Sequence, residues 1–359
     1  MKRKYRNPDS NHKSSLSFIL GLLFLLLFFG MIGAISVGSS QLSFYDSLRI
    51  LLRQIPGLKH ALPALEDIRP SYITIVCKIR MPRVFLSVLC GSALAFVGAI
   101  YQVIFRNPLA DPHILGVSSG AAFGATLSVI LGIGFRSFPL GGMGSMAFIG
   151  ALLSVFFVYG VAGHGSLHNR NAAMILMGVA MSTLLSSIIA LLMLFHHDKL
   201  EKVYFWTLGS FNGASWPKVL YLTAIVIPLE LYLMSYGKEL NIMMSGEEEA
   251  MGLGLDTALI RRKLVIFTTI LVATSVSVSG IIGFVGLIIP HCIRLMKITD
   301  QRKLLPIAAI SGALFMLFCD TLARTLIPPS EIPVGIMTAL FGVPYFIGLL
   351  LWKRGKGEL

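Results

Sequence analysis

Apolar runs of about twenty residues, long enough to cross a bilayer core, repeat along this chain with short polar segments between them. They lie near 16–37, 84–105, 114–134, 142–162, 172–195, 219–236, 304–323 and 333–352, and Glu230 and Asp320 are the acids inside them. At 1.5 Å per residue, a run such as 84–105 reaches about 33 Å as a helix. The stretch 264–290 has 27 residues and reads either as one tilted helix or as two short ones broken at Ser279-Gly280-Ile281-Ile282-Gly283. Charge decides between them. With two spans there the total is ten, both termini share a side, and that side gathers 18 of the 30 lysines and arginines. Of the 12 opposite, seven sit in the single long segment 38–83. Long loops cross with less regard to charge, so the imbalance predicts cytoplasmic N and C termini.

The sharpest interruption is Arg106-Asn107-Pro108-Leu109-Ala110-Asp111-Pro112, between 84–105 and 114–135, two stretches free of Asp, Glu, Lys and Arg. Pro108 and Pro112 cannot donate backbone hydrogen bonds. The joint must therefore lie where water, Asn107, Asp111 or neighbouring protein satisfies the freed carbonyls. Beyond it Gly116, Gly120 and Gly124 recur at every fourth residue and leave one helix flank almost bare. Small residues at this spacing let another backbone approach closely in lipid, and both helix packing and lining of a pathway are open readings.

Composition agrees: 55% of residues are hydrophobic and 13% charged, against about 25% charged in soluble domains. The expected fold is an all-α integral membrane protein of about ten transmembrane helices. It comprises a tail (1–15), one polytopic domain (16–352) and a second tail (353–359). Leu16–Val37 is longer than a signal-peptide core and is expected to be retained. The domain carries an external loop at 38–83, where Leu48, Leu51, Leu52 and Ile55 predict a short amphipathic helix, and a cytoplasmic loop at 237–261. The net charge of +13 follows the membrane, without a basic run interleaved with aromatics, so no nucleic-acid partner is expected. Cys77, Cys90, Cys292 and Cys319 read as small buried hydrophobes. His196, His197 and His113 lack a matching ligand set, and no metal site is expected. Gly237-Lys238 and Gly355-Lys356 lack the rest of a phosphate-binding loop, so the chain is not expected to hydrolyse ATP.

Three constellations remain. In the cytoplasmic loop, Glu247, Glu248 and Glu249 suit the first turn of a short helix continuing through Ala250 and Met251; Gly252 and Gly254 can end it, and Asp256 can cap the next. A solvated connector is one reading. The apolar Met243, Met244, Met251, Leu253 and Leu255 favour a docking surface. Arg80 and Arg83 at the outer end of the second span, with Asp320 and Arg324 near the outer end of the ninth, read either as outward groups for a partner's carboxylates or as snorkelling and i,i+4 pairing. Glu230 is an intramembrane acid or an interfacial one. Besides a transport subunit, an ion-coupled secondary transporter predicts buried acids deep in the spans, and an intramembrane enzyme predicts an assembled nucleophile or metal set.

The run from Arg80 to Gly124, R-M-P-R…R-N-P-L-A-D-P-H-I-L-G-V-S-S-G-A-A-F-G, resembles the FecCD-type permease family, the membrane subunits of bacterial ABC importers for iron chelates, haem and cobalamin. So do Phe205-Trp206-Thr207-Leu208-Gly209-Ser210, the segment from Gly280 to His291 with Arg294, and Glu331-Ile332-Pro333-Val334-Gly335-Ile336 with Gly342 and Pro344. The resemblance implies a ten-helix subunit of the bacterial cytoplasmic membrane that pairs with a second permease around a central route. It implies two ATPase subunits, which hold ATP and Mg²⁺, and an extracytoplasmic substrate-binding lipoprotein; no cofactor is implied on this chain. By the same resemblance Glu247–Gly254 contacts the ATPase, and Arg80, Arg83 and Arg324 receive the binding protein's acids. Asn107, Pro108, Gly116, Gly120 and Gly124 belong to the pathway or its packing, and Gly163-His164-Gly165-Ser166 is the gate candidate.

Overall fold

The computed structural model describes residues 8–38, 42–54, 65, 67–134, 139–162 and 170–355, and among them the regular elements are all helices. They are α1 (Pro8–Ser36), α2 (Phe44–Arg53), α3 (Pro70–Ile104), α4 (Val117–Ile130), α5 (Gly141–Ala162), α6 (Arg170–Phe195) and α7 (Leu200–Thr207). After these come α8 (Trp216–Met234), α9 (Gly237–Ser245), α10 (Glu247–Gly252), α11 (Thr257–Ser279), α12 (Val285–Leu295), α13 (Gln301–Thr325) and α14 (Val334–Gly355). Six are long and apolar enough to cross a membrane: α1 from Leu16, α3, α5, α6, α8 and α13. The shorter apolar α4 and α12, the apolar part of α14, and α11 make ten, as the apolar runs predict. We call the end where α1 begins the near end and the opposite end the far end.

The 264–290 stretch is indeed broken. Helix α11 stops at Ser279, Gly280 takes φ +72°, and α12 restarts after Phe284, which sits at φ +70°. A left-handed Phe is strained unless its surroundings hold it. Helix α11 carries many hydroxyls yet is buried, because Thr268, Thr269, Thr274, Ser275 and Ser279 each donate to a carbonyl one turn back. No polar hydrogen of these side chains then faces hydrocarbon unpaired.

Helix α3 is the central beam, buried along most of its length and packed on α13, α12, α11 and α8. Its backbone comes very close to its neighbours: a Cβ on Gly98 would meet the Gly286 carbonyl oxygen at 2.0 Å, and one on Gly91 the Gly312 oxygen at 2.3 Å. Two expectations about 38–83 need correction. The helix begins at Pro70 rather than near 84, since Pro at the first turn starts it and Ile75–Arg80 continue it as a π-helical segment. The short helix α2 forms, but its buried face is Ser47 and Ile50, with Leu48, Leu51 and Leu52 half-buried; Ile55 lies outside the described residues. Ile50 joins Ala34, Ile35, Ile68, Val76, Val84 and Leu317 in a separate apolar cluster that ties this segment to α1 and α13.

Candidate functional site

At the centre, the joint between α3 and α4 meets the break between α11 and α12. Asn107 Oδ1 accepts from the Leu109 amide at 2.9 Å, and Asp111 Oδ1 from the His113 amide at 2.8 Å. The expectation that these side chains satisfy freed carbonyls is thereby corrected: as acceptors they close two successive turns around Pro108 and Pro112 by holding amides. His113 then braces the break. Its Nε2 lies 2.9 Å from the Ile282 carbonyl, which can only accept, so Nε2 carries a proton and donates there, while Nδ1 lies 2.6 Å from Ser118 Oγ. Gly116, at φ +79°, is the left-handed entry to α4. A Cβ on Gly120 would meet the Gly150 oxygen at 2.4 Å and one on Gly124 the Met146 oxygen at 2.0 Å, so these two glycines pack α4 on α5.

Gln102 was not singled out by sequence, although a glutamine inside an apolar run is a signal. Its Nε2 donates to the Gly286 and Leu287 carbonyls at 3.2 Å each, and its Oε1 accepts from Arg294. Pro290 in α12 has no N–H for the Gly286 carbonyl four residues back, and Gln102 supplies the missing donor. Beside this break opens a largely apolar cavity of about 560 Å³ walled by Leu208, Ile281, Phe284, Ile336 and Leu340. Glu230 is buried on α8 and accepts from Ser92 at 2.8 Å.

At the far end, Arg80, Arg83 and Arg324 are brought together but turned inward. Arg83 binds fully buried Asp320 (Nη2 to Oδ1 2.9 Å) and, through Nη1, Glu331 at 2.8 Å. Arg324 lies 3.7 Å from Asp320 and donates to the Val37 carbonyl at 2.8 Å and to that of Ala34. Arg80 donates to the Ile35 and Ser36 carbonyls at 3.0 Å each. Two arginines thus hold the last carbonyls of α1, the negative end of its dipole. Snorkelling is excluded as the account of these side chains, and so is full exposure. They instead wall a cavity of about 200 Å³ with Gly38 and the half-exposed Glu331.

At the near end, α10 forms from Glu247 to Gly252, Gly254 turns at φ +82°, and Asp256 caps α11 by accepting from the Leu259 amide at 2.9 Å. Its three acids divide. Glu247 turns inward to Arg261 (2.9 Å), which is 2% exposed, while Glu248 and Glu249 are exposed. Arg261 also donates to Asn171 Oδ1 at 2.9 Å, and Asn171 Nδ2 donates to the Ile104 carbonyl at 3.2 Å. Sequence reading missed Arg261 and Asn171, whose partners are remote in the chain. The outer surface of the knob shows Met244, Met251 and Leu253, with Leu253 73% exposed; Met243 is buried and Leu255 half-buried. Beneath it Asn241 donates to Asp300 at 2.7 Å, and the Arg302 guanidinium, bonded to Asp300 at 2.7 Å, holds that carboxyl well below the usual carboxylate range. The gate candidate Gly163, His164, Gly165, Ser166 lies outside the described residues.

Ten apolar helices around a hydrogen-bonded break, with a mixed acidic and apolar knob at one end and an arginine-walled cavity at the other, define a multi-pass membrane transport subunit. A model of the FecCD transport family matches residues 22–353. The cobalamin import system permease protein BtuC of Halobacterium salinarum is 37% identical over 88% of this chain and 85% of its own. The hemin transport system permease protein HmuU of Yersinia pestis is also 37% identical, over 94% of this chain and 96% of its own. A metal-chelate type ABC transporter solved in an inward-facing conformation superposes with a TM-score of 0.78 at 32% identity, over 94% of this chain and 99% of its own. The chain belongs to the FecCD transport family, and it is a permease subunit of the ABC importer class.

Proposed function

We propose that this permease carries a bulky metal chelate (an iron siderophore complex, haem or cobalamin) inward across a bacterial cytoplasmic membrane, as one of two permease subunits powered by two separate ATPases. The observation that carries the reading is the near-end knob. Glu248, Glu249, Met251 and Leu253 offer a mixed acidic and apolar surface, while Glu247 behind them is tied through Arg261 and Asn171 to the end of α3. Such a knob can receive an ATPase outside and transmit its motion inside. The termini and the knob face the cytoplasm in this reading, in keeping with the lysine and arginine count. The 560 Å³ apolar cavity beside the break is where a second permease would close a central route, and apolar walls suit a cargo passed along without tight holding. At the far end, the cavity walled by Arg80, Arg83 and Arg324 is where a carboxylate of an extracytoplasmic binding lipoprotein would enter.

The test is reconstitution of this chain with its ATPase and binding protein in liposomes. Uptake and ATP hydrolysis would be read with an iron siderophore complex, haem and cobalamin in turn. One of the three is expected to raise both. Uptake by the chain alone under a proton or sodium gradient would overturn the proposal in favour of a secondary transporter built around Glu230.

The docking cavity has its own test. Glu331 holds Arg83 Nη1 at 2.8 Å and is half-exposed, so Glu331→Gln frees a donor without removing a buried charge. Binding-protein affinity is expected to tighten about twofold to fivefold, the range of a part-exposed ion pair. Unchanged or weaker affinity at low salt would place docking elsewhere.

A further inference from the structure

A third cavity lies at the near end, beside the Asn241–Asp300–Arg302 network. It holds about 310 Å³ between the start of α1 and the start of α13. Its walls differ in kind. Leu16 and Ile19 of α1 and Ile307 of α13 make an apolar side, and Lys297 and Lys303 stand at the polar one. Lys297 is exposed on the turn from α12 to α13 and holds a left-handed φ of +62°, which fixes the lip of the cavity. Asp300 is the acid in the lining, and its charge is already answered by Arg302 and Asn241. Among the described residues neither lysine has an ion-pair partner, so the site keeps its positive character.

We infer that this cavity binds the head group of an anionic phospholipid, whose acyl chains run along the apolar side. Three observations converge on that occupant. Phe18 and Leu22 of the same helix are exposed, so the groove opens where lipid lies. The sequence ahead of the apolar run that begins at Leu16 contains Lys2, Arg3, Lys4, Arg6 and Lys13, and a basic segment is a poor occupant of a lysine-lined cavity. An inorganic anion would use the lysines but leave the apolar wall without a partner. The inference goes beyond the transport reading and shares with it the inward orientation of the near end, where leaflets carry anionic lipid.

The experiment uses the full-length chain in neutral detergent, titrated separately with short-chain phosphatidylglycerol, short-chain phosphatidylcholine and inorganic phosphate, with bound lipid read by native mass spectrometry. Phosphatidylglycerol is expected to bind in preference to phosphatidylcholine. Each lysine removed, in Lys297→Gln and Lys303→Gln, is expected to lower that preference about fivefold. Lys303→Arg should keep it, and so should Lys202→Gln, which lies at the far end. Lys297 is exposed, so its variant keeps the test open should Lys303→Gln fail to fold. Unchanged selectivity in Lys297→Gln, equal binding of phosphatidylcholine, or displacement of phosphatidylglycerol by inorganic phosphate at equal concentration would each overturn the inference. None of these outcomes touches the cargo assay, so the two proposals fail separately.

Discussion

Asp320 shows how one carboxylate can hold three helices. It is fully buried, neutralises Arg83 and stands 3.7 Å from Arg324, and Arg324 in turn holds the end of α1. Asp320→Asn removes the fully buried counter-charge shared by Arg83 and Arg324 and leaves Arg83 only the half-exposed Glu331, and breaking a buried pair of this kind costs about 3–5 kcal/mol. A lower melting temperature in detergent is expected, and the double variant Asp320→Leu with Arg83→Met should recover part of the loss. Equal melting of Asp320→Asn and the parent would show the network to be slack. Asp300 carries a pH signature. Its carboxyl is held below its ordinary value chiefly by the hydrogen bond from Arg302, so its stabilising effect is full above the unfolded value and is lost only as pH falls through the folded one. The stability difference between the parent and Asp300→Asn should therefore stay flat from neutral pH down to about pH 4, the ordinary carboxylate range, and shrink only in stronger acid. At this scale sequence gave half of each site. Asp320 and Arg324 sit four apart and can be read from spacing. The stronger partner, Arg83, is 237 positions away, and no local pattern carries that pairing.

Helix α12 is the element whose stability is supplied from outside itself. Pro290 interrupts its ladder, and Gln102 on α3 gives its side-chain amide to the Gly286 carbonyl left without a donor. Gln102→Leu should cost about 1–3 kcal/mol, the penalty of an unsatisfied buried acceptor. Pro290→Ala restores an N–H within the helix, so Gln102→Leu is expected to cost less in that background. Thermal unfolding across the four proteins measures the coupling, and additive costs would mean that Gln102 acts by packing alone. Helix α4 makes the contrasting case. Gly124→Ala places a methyl group where the Met146 carbonyl already lies, whereas Gly21→Ala in α1 meets nothing within 4 Å. The first should lower the melting temperature and the second leave it unchanged or slightly higher. The ten spans, the break after Ser279 and the glycine flank were all legible, because length and side-chain size are local properties. The helical start at Pro70 and the buried face of α2 were not, since both depend on a cluster with α1 and α13 that forms only in the folded chain.

Across the whole molecule, α3 joins the two ends that must communicate in an importer. Its far end carries Arg80 and Arg83, its middle holds α12 through Gln102, and the Ile104 carbonyl at its near end is bound by Asn171, which Arg261 ties to Glu247 in the knob. Sequence placed the acidic knob but not its inward partners, because Arg261 and Asn171 lie on different helices and meet only by topology. A hydrogen-bonded relay centred on buried Arg261 separates two defects that a solvated loop would merge. Met251→Ser with Leu253→Ser alters exposed side chains alone, so the fold should be intact while ATPase binding weakens. Arg261→Gln sits behind that surface. It should leave ATPase binding and basal hydrolysis near the parent values but lower cargo moved per ATP about tenfold, within the 1–3 kcal/mol usual for coupling between sites. Melting temperature distinguishes this from misfolding, and an Arg261→Lys variant that keeps the Glu247 contact should recover part of the yield. The two readouts must move independently for a relay to exist: if Arg261→Gln loses ATPase binding and transport in parallel, the knob is a handle without a linkage, and motion reaches α3 by another route.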